Sequence, residues 1–400
     1  MILSFTIDDV LTHAVAEVID GDRLRQALER GEQLRVKLGI DPTSPDIHLG
    51  RSVVLWKLRA LQELGCHIDL IIGTFTGQVG DTSDKESDRP MLSEQQVNEY
   101  QERYEQQLWM VLNPERRDQV TVHRNGDWLA QLPFSEVAKL ADVFSVNSFM
   151  KRELIARRLA EGSHISLREM LYPVMQGYDS HQLHTELELG GTDQRFNLLS
   201  GRAVQEYYGE PAQMVLMTEL VPGLDGRKMS SSYGNGISLL DTPTDKYGKM
   251  MTARDDSMSA LLLTLPRSIW PFTQEELTQQ LAAGENPRDL KRKLAWTLVA
   301  LYHGVVEADQ VQAAFIEQFT EGSLPADMIE VALPALSSRN ILEVLLALEL
   351  VSSKGEARRL IEQGGVRLDS IVITDPNAEL ELPPGAVVQV GKRRFVKLIA

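Results

Sequence analysis

Apolar residues along the chain follow two alternating rhythms. Short apolar runs occupy 35–39, a stretch ending at Gly73, 120–125 and 213–220, and their length predicts buried strands. Between them apolar positions return every three or four residues. Val54, Leu58, Leu61 and Leu64 predict one helix; Tyr100, Tyr104, Leu108 and Leu112 predict another. Ser93 with Gln96, and Ser166 with Glu169, have the spacing of helix-starting capping boxes. Residues 1 to 35 predict helix with breaks at Gly21-Asp22 and Gly31, and 134–162 predict mostly helix. Helices between strands imply an α/β fold around a parallel sheet with right-handed crossovers. The pattern changes after Asp241. Helices with polar faces, separated by Pro266, Pro271, Gly284 and Pro287, predict a helical domain over 241–325. Residues 326–338 predict a linker, and 339–400 a small α+β module. Residues 1–240 are then the catalytic domain.

Composition narrows the class. At 400 residues the chain can bury a large core. No stretch reads as a signal peptide or a membrane span, and a cytoplasmic protein is expected. A single cysteine, Cys66, excludes an internal disulfide and a cysteine-based zinc site. The net charge of −16 argues against non-specific coating of nucleic acid. The last fifty residues differ. They hold eight basic residues, among them Lys354, Arg358, Arg359, Arg367, Lys392, Arg393 and Arg394, against six acidic ones. A basic module on an acidic chain suits contact with a structured RNA.

Five stretches carry candidate chemistry. After the first strand, Asp41-Pro42-Thr43-Ser44-Pro45-Asp46 is an ordered turn, and His48-Leu49-Gly50-Arg51 opens a helix. A helix start favours a phosphate, although a plain β-turn-α connection explains the same residues. The loop 76–89, with Asp81, Lys85 and Arg89, reads as a solvated surface loop or a ligand loop. On the helix from Ser166, Tyr172, Gln176 and Asp179 share one face. That stripe either faces water or grips a small polar ligand. His181 and His184 nearby read as ordinary residues. Gly190-Gly191 lets a ligand approach the backbone, and Asp193 and Gln194 offer groups suited to ribose and carboxylate. Last, Lys228-Met229-Ser230-Ser231-Ser232 places one lysine amid hydroxyls and glycines.

Together these stretches resemble a tyrosyl-tRNA synthetase of the bacterial type, a class I aminoacyl-tRNA synthetase. His48-Leu49-Gly50-Arg51 resembles the family's His-Ile-Gly-His signature, and Lys228 to Ser232 its Lys-Met-Ser-Lys-Ser loop. Residues 172–179 and 190–194 resemble its tyrosine-binding helix and adenylate turn, and the final segment an S4-type RNA-binding domain. Tryptophanyl synthetases share the signatures but typically lack the S4 domain. The resemblance implies a Rossmann-like catalytic domain. It also implies ligation of L-tyrosine to tRNA(Tyr) with ATP and Mg²⁺, through tyrosyl-adenylate, by a homodimer without structural zinc. By resemblance, Asp179 meets the phenol, and Tyr172, Gln176 and Asp81 hold the ammonium. Gln194 sits by the carboxylate, and Lys37 and Asp41 lie beside the amino acid. Gly50, Gly191, Asp193 and Met229 meet ATP. Thr43, His48, Arg51, Lys228 and Ser231 serve the phosphates, and Lys85 and Arg89 act on pyrophosphate or the tRNA end. Arg51 stands in place of the signature's second histidine, and Ser231 in place of the loop's second lysine. Those departures keep a second reading open, a catalytically altered synthetase-like RNA-binding or regulatory protein.

Overall fold

Six strands build the main sheet of the computed structural model, which describes all residues except 1–2, 43–44, 81–93, 231–232, 271, 321–328, 333–338, 370, 384, 392–393 and 400. They are β1 (Val15–Ile19), β2 (Arg35–Ile40), β3 (His67–Ile72), β4 (Val120–Arg124), β5 (Leu187–Gly191) and β6 (Met214–Thr218). Their spatial order is β1-β6-β5-β2-β3-β4. All neighbours are parallel except β1, which runs antiparallel to β6. The order reverses between β2 and β5, and ligands of such sheets bind at the carboxyl ends beside that point. The α/β, Rossmann-like architecture is the expected one.

The first 35 residues depart from expectation. A strand interrupts the helix: Ile7–Thr12 and Gly21–Glu29 are helical, but Val15–Ile19 is β1. Ala14 and Asp20 bracket it at φ 55° and 60°. β1 exists because β6 offers it an open edge, a partner that no local periodicity reveals.

The helix Leu49–Glu63 follows β2 and buries Val53, Leu58 and Leu61. Helices Leu167–Gln182 and Arg195–Tyr207 pack closely at Gly177, where an added Cβ would lie 2.8 Å from the Ser200 carbonyl oxygen. The expected helical stretch over 134–162 is three helices, Phe134–Asp142, Val146–Met150 and Glu153–Ala160. Later helices from Pro243–Met251 to Pro287–His303 belong with the sheet to one compact unit, Met1–Gln312.

The second unit, Ala313–Ala400, has its own sheet. Its strands are β7 (Ile329–Ala332), β8 (Val366–Leu368), β9 (Ile371–Val372), β10 (Val387–Val390) and β11 (Arg394–Ile399), in the order β7-β11-β10-β8-β9. Helices Ile341–Ala347 and Lys354–Glu362 bury Ile341, Val344, Leu345 and Ile361 in the same core as Val388 and Val396. Ser353 caps the second helix by accepting from the Glu356 N–H at 3.2 Å. β7 lies inside the expected 326–338 linker, so part of that stretch is a strand, parallel to β11. Among the described residues, no helix is long and apolar enough to cross a membrane.

Candidate active site

A cavity of about 680 Å³ opens at the carboxyl ends of β2, β3, β5 and β6. Gly39, Ile40 and Asp41 line it from β2 and its end, Gly73 from just past β3, and Gly190 and Gly191 from β5. His48, Gly50 and Arg51 line it from the start of the Leu49–Glu63 helix. Tyr172, Gln176, Asp179, Asp193, Gln194, Lys228 and Met229 complete this set. Residues spread over nearly 190 positions of sequence thus meet in one cavity.

A continuous hydrogen-bond chain forms one wall. The Tyr172 hydroxyl donates to Asp41 Oδ2 at 2.8 Å, and Thr76 Oγ1 donates to Asp41 Oδ1 at 2.7 Å. Asn125 Nδ2 donates to Thr76 Oγ1 at 2.9 Å and to Asp179 Oδ2 at 3.2 Å. Trp128 Nε1 donates to Asp179 Oδ1 at 2.8 Å. Asp179 is 4% exposed, and burial pushes its carboxyl up to about 7 against the opposing charge of Lys37 and its two donors. Thr76, Asn125 and Trp128 were not singled out from sequence. Asn125 and Trp128 follow a predicted strand at the ligand edge, and that position is the signal that reveals them.

Lys37 does not line the cavity. Its ammonium pairs with Glu188 Oε1 at 2.9 Å, both side chains being 1% exposed, and donates to the Gln176 carbonyl at 3.1 Å and Ser180 Oγ at 2.5 Å. Glu188 also accepts from Gln176 Nε2 at 3.0 Å. Glu188 thus holds the amide nitrogen of Gln176, a residue that lines the cavity.

On the opposite side His48 ends the turn and caps the helix start without a side-chain cap bond. Its Nδ1 is buried without a hydrogen-bond partner among the described residues. Burial, then the charges of Arg51 and Lys228, push it down to about 3, so the imidazole is neutral at ordinary pH. Arg51 donates to the Tyr104 hydroxyl. Gly50 N–H meets Met229 Sδ at 3.1 Å. Lys228 Nζ pairs with Asp193 Oδ2 at 3.0 Å, which spans the cavity between the late loop and the β5 turn. Gln194 Oε1 accepts from Asn197 Nδ2 at 2.8 Å.

Thr43, Asp81, Lys85, Arg89 and Ser231 lie outside the described residues, as do Lys392 and Arg393. In the second unit Lys354, Arg358, Arg359, Arg367 and Arg394 are exposed. Arg394 donates to the Leu350 carbonyl at 2.5 Å, and Lys354 pairs with Glu343 at 3.3 Å. His181 and His184 both pair with Glu210, at 2.9 and 3.1 Å. Among the described residues, no cluster of three or more His, Cys, Asp or Glu could hold a metal ion.

Comparison with known proteins agrees with this layout. Residues 29–320 match the family model for tRNA synthetases class I (W and Y), and 340–388 match the S4 domain. A tyrosine–tRNA ligase of Moorella thermoacetica is 43% identical over 399 residues, covering 97% of this chain and 94% of that one. The tyrosine–tRNA ligase of Thermotoga maritima is 38% identical over 393 residues, covering 97% and 96%. Among solved structures, a tyrosyl-tRNA synthetase of Archaeoglobus fulgidus complexed with L-tyrosine superposes with a TM-score of 0.59 at 25% identity, covering 76% of this chain and 97% of that one. A C-terminally truncated mitochondrial tyrosyl-tRNA synthetase of Aspergillus nidulans shares the fold, with a TM-score of 0.61 at 20% identity over 78% of this chain and 93% of its own. The chain therefore belongs to the class I aminoacyl-tRNA synthetases, in the bacterial tyrosyl branch that carries a C-terminal S4 domain.

Proposed function

We propose that this protein ligates L-tyrosine to tRNA(Tyr) in two steps. The tyrosine carboxylate attacks the α-phosphorus of ATP, which enters with its Mg²⁺, giving tyrosyl-adenylate and pyrophosphate. A hydroxyl of the tRNA's terminal adenosine then takes the tyrosyl group and AMP leaves. Neither step requires a protein nucleophile; positioning and stabilisation of phosphate charge carry them. The observation that supports this reading best is the chain from Tyr172 through Asp41, Thr76 and Asn125 to Asp179. It is a rigid polar wall with a carboxyl at its far end, suited to a phenol, and acceptors for an ammonium at Tyr172 and Gln176. A site built on paired polar groups rejects an analogue lacking the hydroxyl.

In this reading Asp179 takes the phenol, and Tyr172, Gln176 and Asp81 hold the ammonium. Gln194 lies by the carboxylate. Asp193 and Gly191 take the ribose. Thr43, His48, Arg51, Lys85, Arg89, Lys228 and Ser231 face the phosphates. His48, neutral, offers an N–H rather than a charge. Lys228 leaves Asp193 for the leaving pyrophosphate when ATP fills the cavity. Lys37 acts on the amino acid from beneath, through Gln176 and Asp179. Arg358, Arg359 and Arg367, with the neighbouring basic residues, would contact the tRNA. Large exposed apolar side chains support a homodimer: Phe134 is 84% exposed and Leu167 78%, with Val146 and Leu159 also exposed. The enzyme would work in the cytoplasm.

Tyrosine-dependent exchange of pyrophosphate into ATP tests the first step, and tyrosylation of tRNA(Tyr) the second. No exchange with tyrosine would overturn the proposal. Exchange without transfer to tRNA would support the altered-synthetase reading instead.

A further inference from the structure

The stretch around Lys228 closes on a single side chain. Asn235 is 6% exposed. Its Nδ2 donates to Asp225 Oδ1 at 2.8 Å and to the Lys228 carbonyl at 3.1 Å, and its Oδ1 accepts from the Ser230 N–H at 3.0 Å. Its own carbonyl accepts from the Leu224 N–H at 2.9 Å. An added Cβ at Gly223 would come within 2.4 Å of Asn235 Nδ2, so the ends of the loop meet where only glycine fits.

The two bonds to Lys228 and Ser230 bracket Met229. That residue is 4% exposed, its Sδ lies 3.1 Å from the Gly50 N–H, and an added Cβ at Gly236 would touch both Met229 and His48. The amide of Asn235 therefore fixes the short backbone piece that seats Met229 on the helix start and aims Lys228 across the cavity. Its other bond is to Asp225, whose carboxyl also accepts from the Arg227 N–H at 3.0 Å and Nε at 2.7 Å. Asparagine is suited to this place. It donates twice and accepts once from one planar group. Aspartate of the same shape would lose both donors and set a second carboxylate against Asp225.

From this geometry we infer that Asn235 is a positioning residue for tyrosine activation, holding Lys228 and Met229 in register with His48 and Gly50. The inference rests on the proposed activation of tyrosine with ATP. Asn235 touches no reacting atom. Its loss should lower the rate of adenylate formation while leaving the amino-acid site, built on other elements, intact.

The test compares wild type, Asn235→Asp and Asn235→Asp combined with Asp225→Asn in tyrosine-dependent ATP–pyrophosphate exchange, with tyrosine affinity measured by equilibrium dialysis. Asn235→Asp should lower kcat by about tenfold or more, because a misplacement of about 1 Å costs as much as 10²-fold. Its tyrosine dissociation constant should stay within about twofold, since an interaction made only in the transition state leaves substrate binding alone. Adding Asp225→Asn reverses the polarity of the pair and should recover part of the lost rate. Where Asn235→Asp does not accumulate folded, Asn235→Ser carries the same test with the same thresholds. A kcat close to that of wild type, a tyrosine affinity that falls in step with kcat, or a double variant with no recovery would each overturn the inference. Wild type without exchange would overturn both this and the activity it rests on; active wild type beside an unimpaired Asn235→Asp overturns this alone.

Discussion

In the proposed reading, selection of tyrosine turns on Asp179. Both of its oxygens already accept hydrogen bonds, from Trp128 and Asn125. Asparagine there would turn an N–H toward one of those donors. Asp179→Asn should therefore lower kcat/KM for tyrosine by about 10²-fold or more and leave the ATP KM nearly unchanged, as compared in exchange assays with tyrosine and phenylalanine. The same carboxyl predicts a pH effect. Burial holds its folded value at about 7, against 3.8 for a free aspartate carboxyl. Between those values the folded protein keeps a proton that the unfolded chain has released, so this group's contribution to stability falls as pH rises through that window. The melting point of Asp179→Asn relative to wild type should be more favourable at pH 8 than at pH 5; no change in that difference would contradict the burial argument. Arg51 raises a separate question. It lines the cavity beside His48, on the side proposed for the phosphates, where its charge would stand in for the lysine absent at 231. If so, Arg51→His slows adenylate formation in single-turnover measurements, and an unchanged rate would remove that explanation.

At the scale of elements, close contacts set the limits. Gly177 lets the Leu167–Gln182 helix approach its neighbour. Alanine there would sit 2.7 Å from Val204 Cγ2 and 2.8 Å from the Ser200 carbonyl. Gly177→Ala should cost about 1–3 kcal/mol in denaturant unfolding, the usual range for overpacking. Four of the five parallel strands and the long helices were legible in sequence because each carries its own period and is bounded by turn residues; β5 was not, because its short run Leu187–Gly191 ends in two glycines and reads as a turn. β1 was not legible, since its partner β6 lies some two hundred residues on. The polar stripe of Tyr172, Gln176 and Asp179 was visible as a helix face. Its orientation was not. That depends on Asn125 just past the end of β4, on Trp128 in the short helix Gly126–Leu129, and on Glu188 in β5. Lys37 shows the same boundary. Its place on β2 could be read, but its burial against Glu188 depends on how β5 packs beside β2.

For the whole molecule, the described residues that line the cavity all belong to the Met1–Gln312 unit. A chain ending at 312 should keep tyrosine-dependent pyrophosphate exchange and lose most tyrosylation of tRNA. Loss of exchange as well would tie the second unit to the chemistry. The acidic body and basic tail were legible as charge. The exposure of Phe134 was not, because an apolar helix position reads the same whether it meets its own core or another copy. Phe134→Glu should shift the protein toward monomer in sedimentation equilibrium.

β7 has a practical consequence for anyone cutting this protein into pieces. The S4 match begins at 340, which invites a fragment starting there. Such a fragment would leave β11 with a bare row of backbone donors and acceptors, a template for pairing with other chains. Beginning the fragment before Ile329 keeps that row covered. The shorter piece is expected to self-associate in light scattering, and the longer one to stay monodisperse.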